Sequence, residues 1–169
     1  DTTINALTIA NTSSQSRMAT MTITAGDLSR TVTIEQEGKE VAIINIPDAN
    51  FKAYLVENFD TDKDGEISEE EASVVTSIWC DTMNIKSLQG IEYFTSVWKI
   101  YAPYNQISTI DLSKNLNLGS LVLSDNQLVE LDLCNNVNLI ELWCDKNKLK
   151  SLKIEKCNNI RTISCFNNQ

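Results

Sequence analysis

The second half of this chain repeats, and the repeat constrains its fold more than any other feature. Apolar anchors and asparagines recur as Val97-x2-Ile100-x-Ala102-x2-Asn105, Ile107-x2-Ile110-x-Leu112-x2-Asn115 and Leu118-x2-Leu121-x-Leu123-x2-Asn126. The phrase continues through Leu128-x2-Leu131-x-Leu133-x2-Asn136, Leu139-x2-Leu142-x-Cys144-x2-Asn147, Leu149-x2-Leu152-x-Ile154-x2-Cys157 and Ile160-x2-Ile163-x-Cys165-x2-Asn168. The anchors Leu118, Leu128, Leu139, Leu149 and Ile160 step by 10 and 11 residues alternately, so the period is 21 and holds two half-units. An amphipathic helix does not produce this spacing.

Each phrase sets down a short strand whose alternate side chains point inward onto the same positions of the next coil. The asparagine after it can satisfy backbone groups at the turn, which a stack of buried turns requires. One coil cannot bury its apolar face alone, so neighbours must stack. The pattern is that of a leucine-rich repeat solenoid over residues 91–169.

Residues 39–90 have a helical rhythm. Asn50 is a candidate N-cap before Phe51, Tyr54, Leu55 and Phe59 at helix spacing. A second helix is expected from Ser68, with Glu71 completing a capping box and Ala72, Val75 and Trp79 on one stripe.

Between them runs Asp60-Thr61-Asp62-Lys63-Asp64-Gly65-Glu66-Ile67-Ser68-Glu69-Glu70-Glu71. Asp60, Asp62 and Asp64 stand at places one, three and five, Glu66 offers its backbone carbonyl, and Glu71 closes place twelve. Gly65 permits the sharp turn, and Ile67 can pair its backbone with a neighbouring segment. Hard oxygen ligands at this spacing suit Ca2+ in an EF-hand-like loop. The competing account is a merely solvated acidic loop, which must explain why like charges crowd a glycine turn with no cation to neutralise them. A lone loop of this kind, without a Met-rich groove beside it, reads as structural.

Residues 1–38 alternate at period two over Ile4 to Ile9, Met18 to Ile23 and Thr31 to Ile34, as half-buried strands do, with turns at Asn11-Thr12-Ser13-Ser14 and Ala25-Gly26-Asp27. The run Asn11-x5-Arg17-x-Ala19-x-Met21-x-Ile23, followed by Thr31-Val32-Thr33-Ile34-x-Gln36-x-Gly38, resembles the C-terminal part of a BACON domain. That family is a β-sandwich common in surface proteins of gut Bacteroidetes, and the resemblance implies a partial sandwich. Asn45-Ile46-Pro47-Asp48-Ala49-Asn50-Phe51, the acidic loop and Ser87-Leu88-Gln89-Gly90-Ile91-Glu92-Tyr93-Phe94 resemble the N-terminal cap of secreted bacterial leucine-rich repeat proteins, broadly internalin-like. This second resemblance implies that Phe51, Phe59 and Trp79 pack beneath the first coil.

The expected fold is therefore α+β with a β-rich leucine-rich repeat solenoid: strands over 1–38, a helical cap with its calcium loop over 39–90, and repeats over 91–169.

Composition removes most chemistries. The formal charge of -9 repels polyanions, so nucleic acid is not an expected partner. With no histidine there is no His-based triad or His-ligated zinc, and no phosphate-binding glycine loop occurs. The five cysteines form no C-x-x-C. Cys144 and Cys165 fall on inward anchors, Cys157 replaces a turn asparagine, and Cys134 is expected to be partly exposed. Asp111 and Asp132 lie in the open without a cleft, so glycosidase chemistry is not expected. No apolar run is long enough to span a bilayer.

Side chains between anchors form outward columns 21 residues apart. One is Tyr101, Val122, Trp143 and Ser164, flanked by Pro103, Ser124, Asp145 and Phe166 and by Tyr104, Asp125, Lys146 and Asn167. The other half-units carry Asp111, Asp132 and Lys153. Tyr101, Tyr104, Trp143 and Phe166 are the candidate ligand-binding residues. The sequence reads as a non-enzymatic recognition protein, secreted or on the cell surface, as a lipoprotein in a longer form. A protein is the first partner class and a glycan or mucin the second; a structural spacer is the third reading. The repeat pattern runs to Asn168-Gln169 with no evident C-terminal cap, which leaves two options open, pairing of copies through the last coil or a further segment downstream.

Overall fold

The computed structural model describes residues 9, 11 and 16–169, and the chain divides into two units, Asp1–Val41 and Ala42–Gln169. The expected first strand, except Ile9, and most of the Asn11-Ser14 turn lie outside the described residues.

In the first unit, β1 (Arg17–Ala25) and β2 (Leu28–Gln36) form an antiparallel hairpin in which Ala25 pairs with Leu28. Gly26, at φ 61°, takes the first place of the two-residue loop, where hairpin turns that match strand twist need positive φ. The strands are less buried than their alternation suggests. Within these strands only Met21, Ile23, Ile34 and Gln36 are partly covered, because among the described residues the pair has no second layer to pack against.

The second unit opens with α1 (Ala49–Phe59). Its N-cap is Asp48, not Asn50: Asp48 Oδ1 accepts from the N–H groups of Asn50 and Phe51, both at 3.0 Å. The other oxygen accepts from Lys86 N at 2.8 Å and Ser87 N at 3.2 Å, so one carboxylate caps the helix and ties it to the segment entering the first coils. Although burial desolvates Asp48, these donors hold its pKa below the ordinary value. A full negative charge at the positive helix end favours this cap.

Next comes α2 (Glu69–Val74), started by Ser68 and Glu71 in the expected capping box. It is too short to carry Trp79. That residue ends β3 (Ser77–Trp79), the first strand of the solenoid, and is 49% exposed, so it does not pack beneath a coil. Phe51 is fully buried, and Phe59 meets Tyr54 and Phe94 edge to face at 5.9 and 6.5 Å.

The remaining strands are β4 (Lys99–Tyr101), β5 (Ser120–Val122), β6 (Glu130–Asp132), β7 (Glu141–Trp143), β8 (Ser151–Lys153) and β9 (Thr162–Ser164). They form two parallel sheets, β3-β4-β5-β7-β9 and β6-β8, one for each half-unit. In the larger sheet Ile78, Ile100, Leu121, Leu142 and Ile163 stand in register. The first four are completely buried, while Ile163 on the last coil is 46% exposed.

Asparagines lock coil to coil. Asn126 Oδ1 accepts from Ile107 N at 2.9 Å, and its Nδ2 donates to Ala102 O at 2.9 Å and Leu123 O at 3.1 Å. Asn105, Asn147 and Asn168 repeat the same bonds on their own coils. In the other half-units Asn115 and Asn136 donate back to the preceding coil, and Cys157 takes the next rung with its thiol donating to Leu133 O at 3.2 Å. The turns need left-handed backbone: Tyr104, Asp125, Lys146 and Asn167 have φ between 53° and 56°.

Candidate functional site

Two places in the second unit concentrate chemistry, the acidic loop and the outer face of the five-stranded sheet.

The loop is held first at its C-terminal end. Ile44 N donates to Ile67 O at 2.8 Å and Glu69 N to Ala42 O at 2.9 Å, so the backbone at Ile67 pairs with the segment before α1. Ile67 itself is fully buried. Lys63 and Gly65 take positive φ, 62° and 84°, to fold the chain back on itself. Asp60, Asp62 and Glu71 each bring a carboxylate oxygen within 4.8 Å of the others. Asp64 and Glu66 are not in that carboxylate group. Asp64 Oδ1 accepts from Glu66 N at 2.8 Å, and the Glu66 side chain turns to Lys52 Nζ at 2.6 Å.

Glu71 does two jobs at once. One oxygen accepts from Ser68 N and Oγ at 3.0 and 2.9 Å, and the other from Thr61 N and Oγ1 at 2.6 and 2.8 Å. Burial would raise its pKa by desolvation, but these four donors outweigh that and bring it down to about 2. The carboxylate is thus a fixed anion clasping the two ends of the loop. An all-oxygen donor set of this charge and convergence fits a hard divalent cation.

On the sheet face, the four residues singled out from the sequence lie together. Tyr101, Tyr104, Trp143 and Phe166 line one shallow depression of about 420 Å³ with Lys99, Val122, Glu141 and Lys146 among its other walls. Tyr104 and Phe166 are more than half exposed and Trp143 is 37% exposed. Pro103 and Asp145, read as outward from their columns, also line this depression, although both are buried. Asp145 accepts from Ser124 Oγ at 2.9 Å and Ser164 Oγ at 3.1 Å, acting as a polar tie between coils.

Trp143 is anchored rather than loose. Trp143 Nε1 donates to Glu141 Oε1 at 2.9 Å, while Ser120 Oγ donates to Glu141 Oε2 at 2.7 Å. Those two bonds lower the pKa of Glu141, which therefore stays charged beside the indole. Lys146 pairs with Asp125 at 3.2 Å across adjacent coils.

Sequence reasoning missed Trp79. Its ring lies 5.1 Å from Tyr101, tilted by 35°, with Lys99 Nζ 4.8 Å above its centroid. Trp79 pairs in register with Tyr101, then Val122, Trp143 and Ser164, so it heads the outward column. The signal was present: Val75-x2-Ile78-x-Cys80 is the repeat phrase itself, one coil earlier than the first recognised.

The second sheet offers a different surface. Asp132 accepts from Cys134 N at 3.0 Å and Lys153 Nζ at 2.9 Å, which together lower its pKa to about 2. Asp111 accepts from Ser113 N and is also lowered. Both are settled anions, so this pair supplies no protonated acid of the kind glycoside hydrolysis needs.

Among the cysteines, Cys80 and Cys144 are fully buried and Cys134 is partly exposed, its thiol donating to Glu155 Oε2 at 3.0 Å. Burial pushes the thiols of Cys80 and Cys144 up to about 12, far from nucleophilic range. Cys165 corrects the sequence reading: its anchor position is exposed rather than buried, with no coil stacked on its outer side among the described residues.

Among the described residues no helix is long and apolar enough to cross a membrane. No protein-family profile matches the chain. Over 69 residues, 41% of its length, the chain is 38% identical to internalin J of Listeria monocytogenes serotype 4b (strain F2365), and that match spans 8% of the relative. A solved functional domain of internalin J from Listeria monocytogenes, described as including a cysteine ladder, aligns with a TM-score of 0.71 at 33% identity, covering 76% of this chain and 29% of that one. An internalin of the same species aligns at TM-score 0.61 and 21% identity, covering 76% of this chain and 46% of that one, and shows a shared fold. Internalin C2 does so at 0.53 and 14%, covering 78% and 72%. The chain carries an internalin-like leucine-rich repeat solenoid.

Proposed function

We propose that this chain is a non-catalytic recognition module of a secreted or cell-surface protein, binding a protein partner through the outer face of its five-stranded sheet. The observation that carries the reading is the clustering of Tyr101, Tyr104, Trp143 and Phe166 around one depression, with Trp79 extending the aromatic column. Large aromatics fixed on a rigid scaffold lose little conformational freedom on binding and dominate protein interfaces. Lys99, Lys146, Asp125 and Glu141 around them supply charges of both signs, suited to orienting a partner.

A calcium ion in the acidic loop belongs to the same proposal. Asp60, Asp62, Asp64 and Glu71 would hold it with their carboxylates and Glu66 with its backbone carbonyl. Its role is structural: it relieves repulsion among the loop carboxylates and fixes the crossing from α1 to α2, beneath which the solenoid begins.

The test is a calcium-containing binding screen across extracellular-matrix and cell-surface proteins, with glycans and mucins alongside, run with the parent chain and Trp143→Ala in parallel. A protein hit lost in the variant supports the reading. The absence of any protein hit, or a protein hit unchanged by Trp143→Ala, overturns it.

A further inference from the structure

A second groove lies away from the aromatic column. It has a volume of about 720 Å³ and is lined by Trp98, Asn117, Asn138, Asn159, Ile140 and Arg161 among others. Its make-up follows from the 21-residue period. Asn117, Asn138 and Asn159 occupy equivalent places on successive coils, as do Trp98, Gly119, Ile140 and Arg161.

The three asparagines are exposed and share one arrangement. Each Nδ2 donates once, to Thr95 O, Leu116 O and Val137 O at 2.9, 3.0 and 3.0 Å. These bonds fix the amide planes but use only one of the two N–H donors. Each amide oxygen also stays without a hydrogen bond among the described residues. The result is a ladder of paired donors and acceptors, repeating at the ~4.8 Å spacing of adjacent strands.

Trp98 makes the ladder into a platform. The indole lies directly over Gly119: a Cβ built there would sit far inside contact distance of its Nε1 and Cε2. Gly119 has no positive φ to explain its presence, so the residue is required by the ring above it. The ring is nonetheless 49% exposed, offering its other surface outward.

Charge sets the ligand apart. The protein carries -9 overall, yet none of the residues lining this groove is acidic, and Arg161 is its single charge. Its guanidinium is exposed and forms no ion pair among the described residues. An aromatic plate beside alternating amide donors and acceptors matches a sugar ring, with one apolar face and hydroxyls at its rim. An unpaired arginine adds fork-shaped recognition of a carboxylate.

We infer that this groove binds an acidic saccharide, with Trp98 stacking on a sugar ring, the asparagine ladder meeting its hydroxyls and Arg161 taking its carboxylate. The site is independent of the protein-binding face, since it shares no residue with the depression around Trp143.

The test is NMR titration of the whole chain with hyaluronan tetrasaccharide, which bears carboxylates on alternate sugars, and with neutral chitotetraose. The three indole N–H resonances, of Trp79, Trp98 and Trp143, are assigned by single Trp→Phe substitutions. The expected result is a saturable shift of the Trp98 resonance with hyaluronan, and affinity lower by at least about tenfold for chitotetraose and for Arg161→Gln. Gly119→Ala, which must push the indole aside, should also weaken binding while leaving the Trp79 and Trp143 resonances in place. The inference is overturned if Trp98 does not shift, if only Trp79 or Trp143 shifts, or if Arg161→Gln binds hyaluronan as the parent does.

Discussion

Replacing Asn126 by alanine should destabilise the solenoid by about 3 kcal/mol, and the figure can be worked from its bonds. Asn126 is nearly buried, and its Oδ1 is the acceptor for Ile107 N, whose residue is wholly buried. Alanine leaves that N–H without a partner, which costs about 1–3 kcal/mol. Its Nδ2 serves Ala102 O and Leu123 O, but each of these also receives a second amide, from Asn105 at 3.2 Å and Asn147 at 2.9 Å. Each carbonyl therefore loses one of two donors, a smaller loss of about 0.5–1 kcal/mol apiece. Together the range is about 2–5 kcal/mol. The last rung is the control: Asn168 makes the same bonds but is only partly buried, so water replaces them and Asn168→Ala should cost less than about 1 kcal/mol. Urea unfolding followed by circular dichroism measures both. A loss below about 1 kcal/mol for Asn126→Ala, or equal losses at the two rungs, would refute the coil-locking role.

Three further outcomes follow from the cap and the hairpin. Calorimetric titration should find one calcium site that raises the melting temperature, with Glu71→Gln reducing both affinity and the rise; a melting temperature indifferent to calcium would remove the structural role. In calcium-free protein, the depressed pKa of Glu71 stabilises the fold above its unfolded value of 4.5, and that contribution is lost as pH falls from 4.5 towards about 2. Melting curves across this range should therefore fall less steeply for Glu71→Gln than for the parent. Removing residues 1–38 should leave one cooperative unfolding transition, since residues 42–169 hold their own core; its disappearance would mean the hairpin completes that core.

The sequence was most readable where one interaction repeats. Inward Leu and Ile at fixed spacing and an asparagine at each turn specify both register and hydrogen bonding, so β4 through β9 fall where the period puts them. The capping box at Ser68 was equally legible, because its two partners are three residues apart. Reading failed where a local signal met a tertiary one. Asn50 is a good cap by type, but Asp48 also binds Lys86 and Ser87, some forty residues away, and that choice is invisible locally. Ala72, Val75 and Trp79 fit helix spacing, but the chain leaves the helix at Val75 to pair Ile78 with Ile100. Cys165 fits the inward pattern, but burial also needs a coil on each side, and the described residues place one on its inner side only. On the sheet face, column position located Trp143 and Tyr101 but not the burial of Asp145, which depends on hydroxyls from two other coils.

The most direct test of recognition through the aromatic face compares one substitution on each sheet, using the protein partner found by the screen. Trp143→Ala removes the central ring of the five-stranded face, and Asp132→Ala removes an exposed carboxylate from the other sheet. The account predicts that Trp143→Ala weakens binding by at least about tenfold, as loss of an interface anchor does, with the melting temperature unchanged and Asp132→Ala binding like the parent. Equal binding by parent and Trp143→Ala, or a loss seen only with Asp132→Ala, would contradict it.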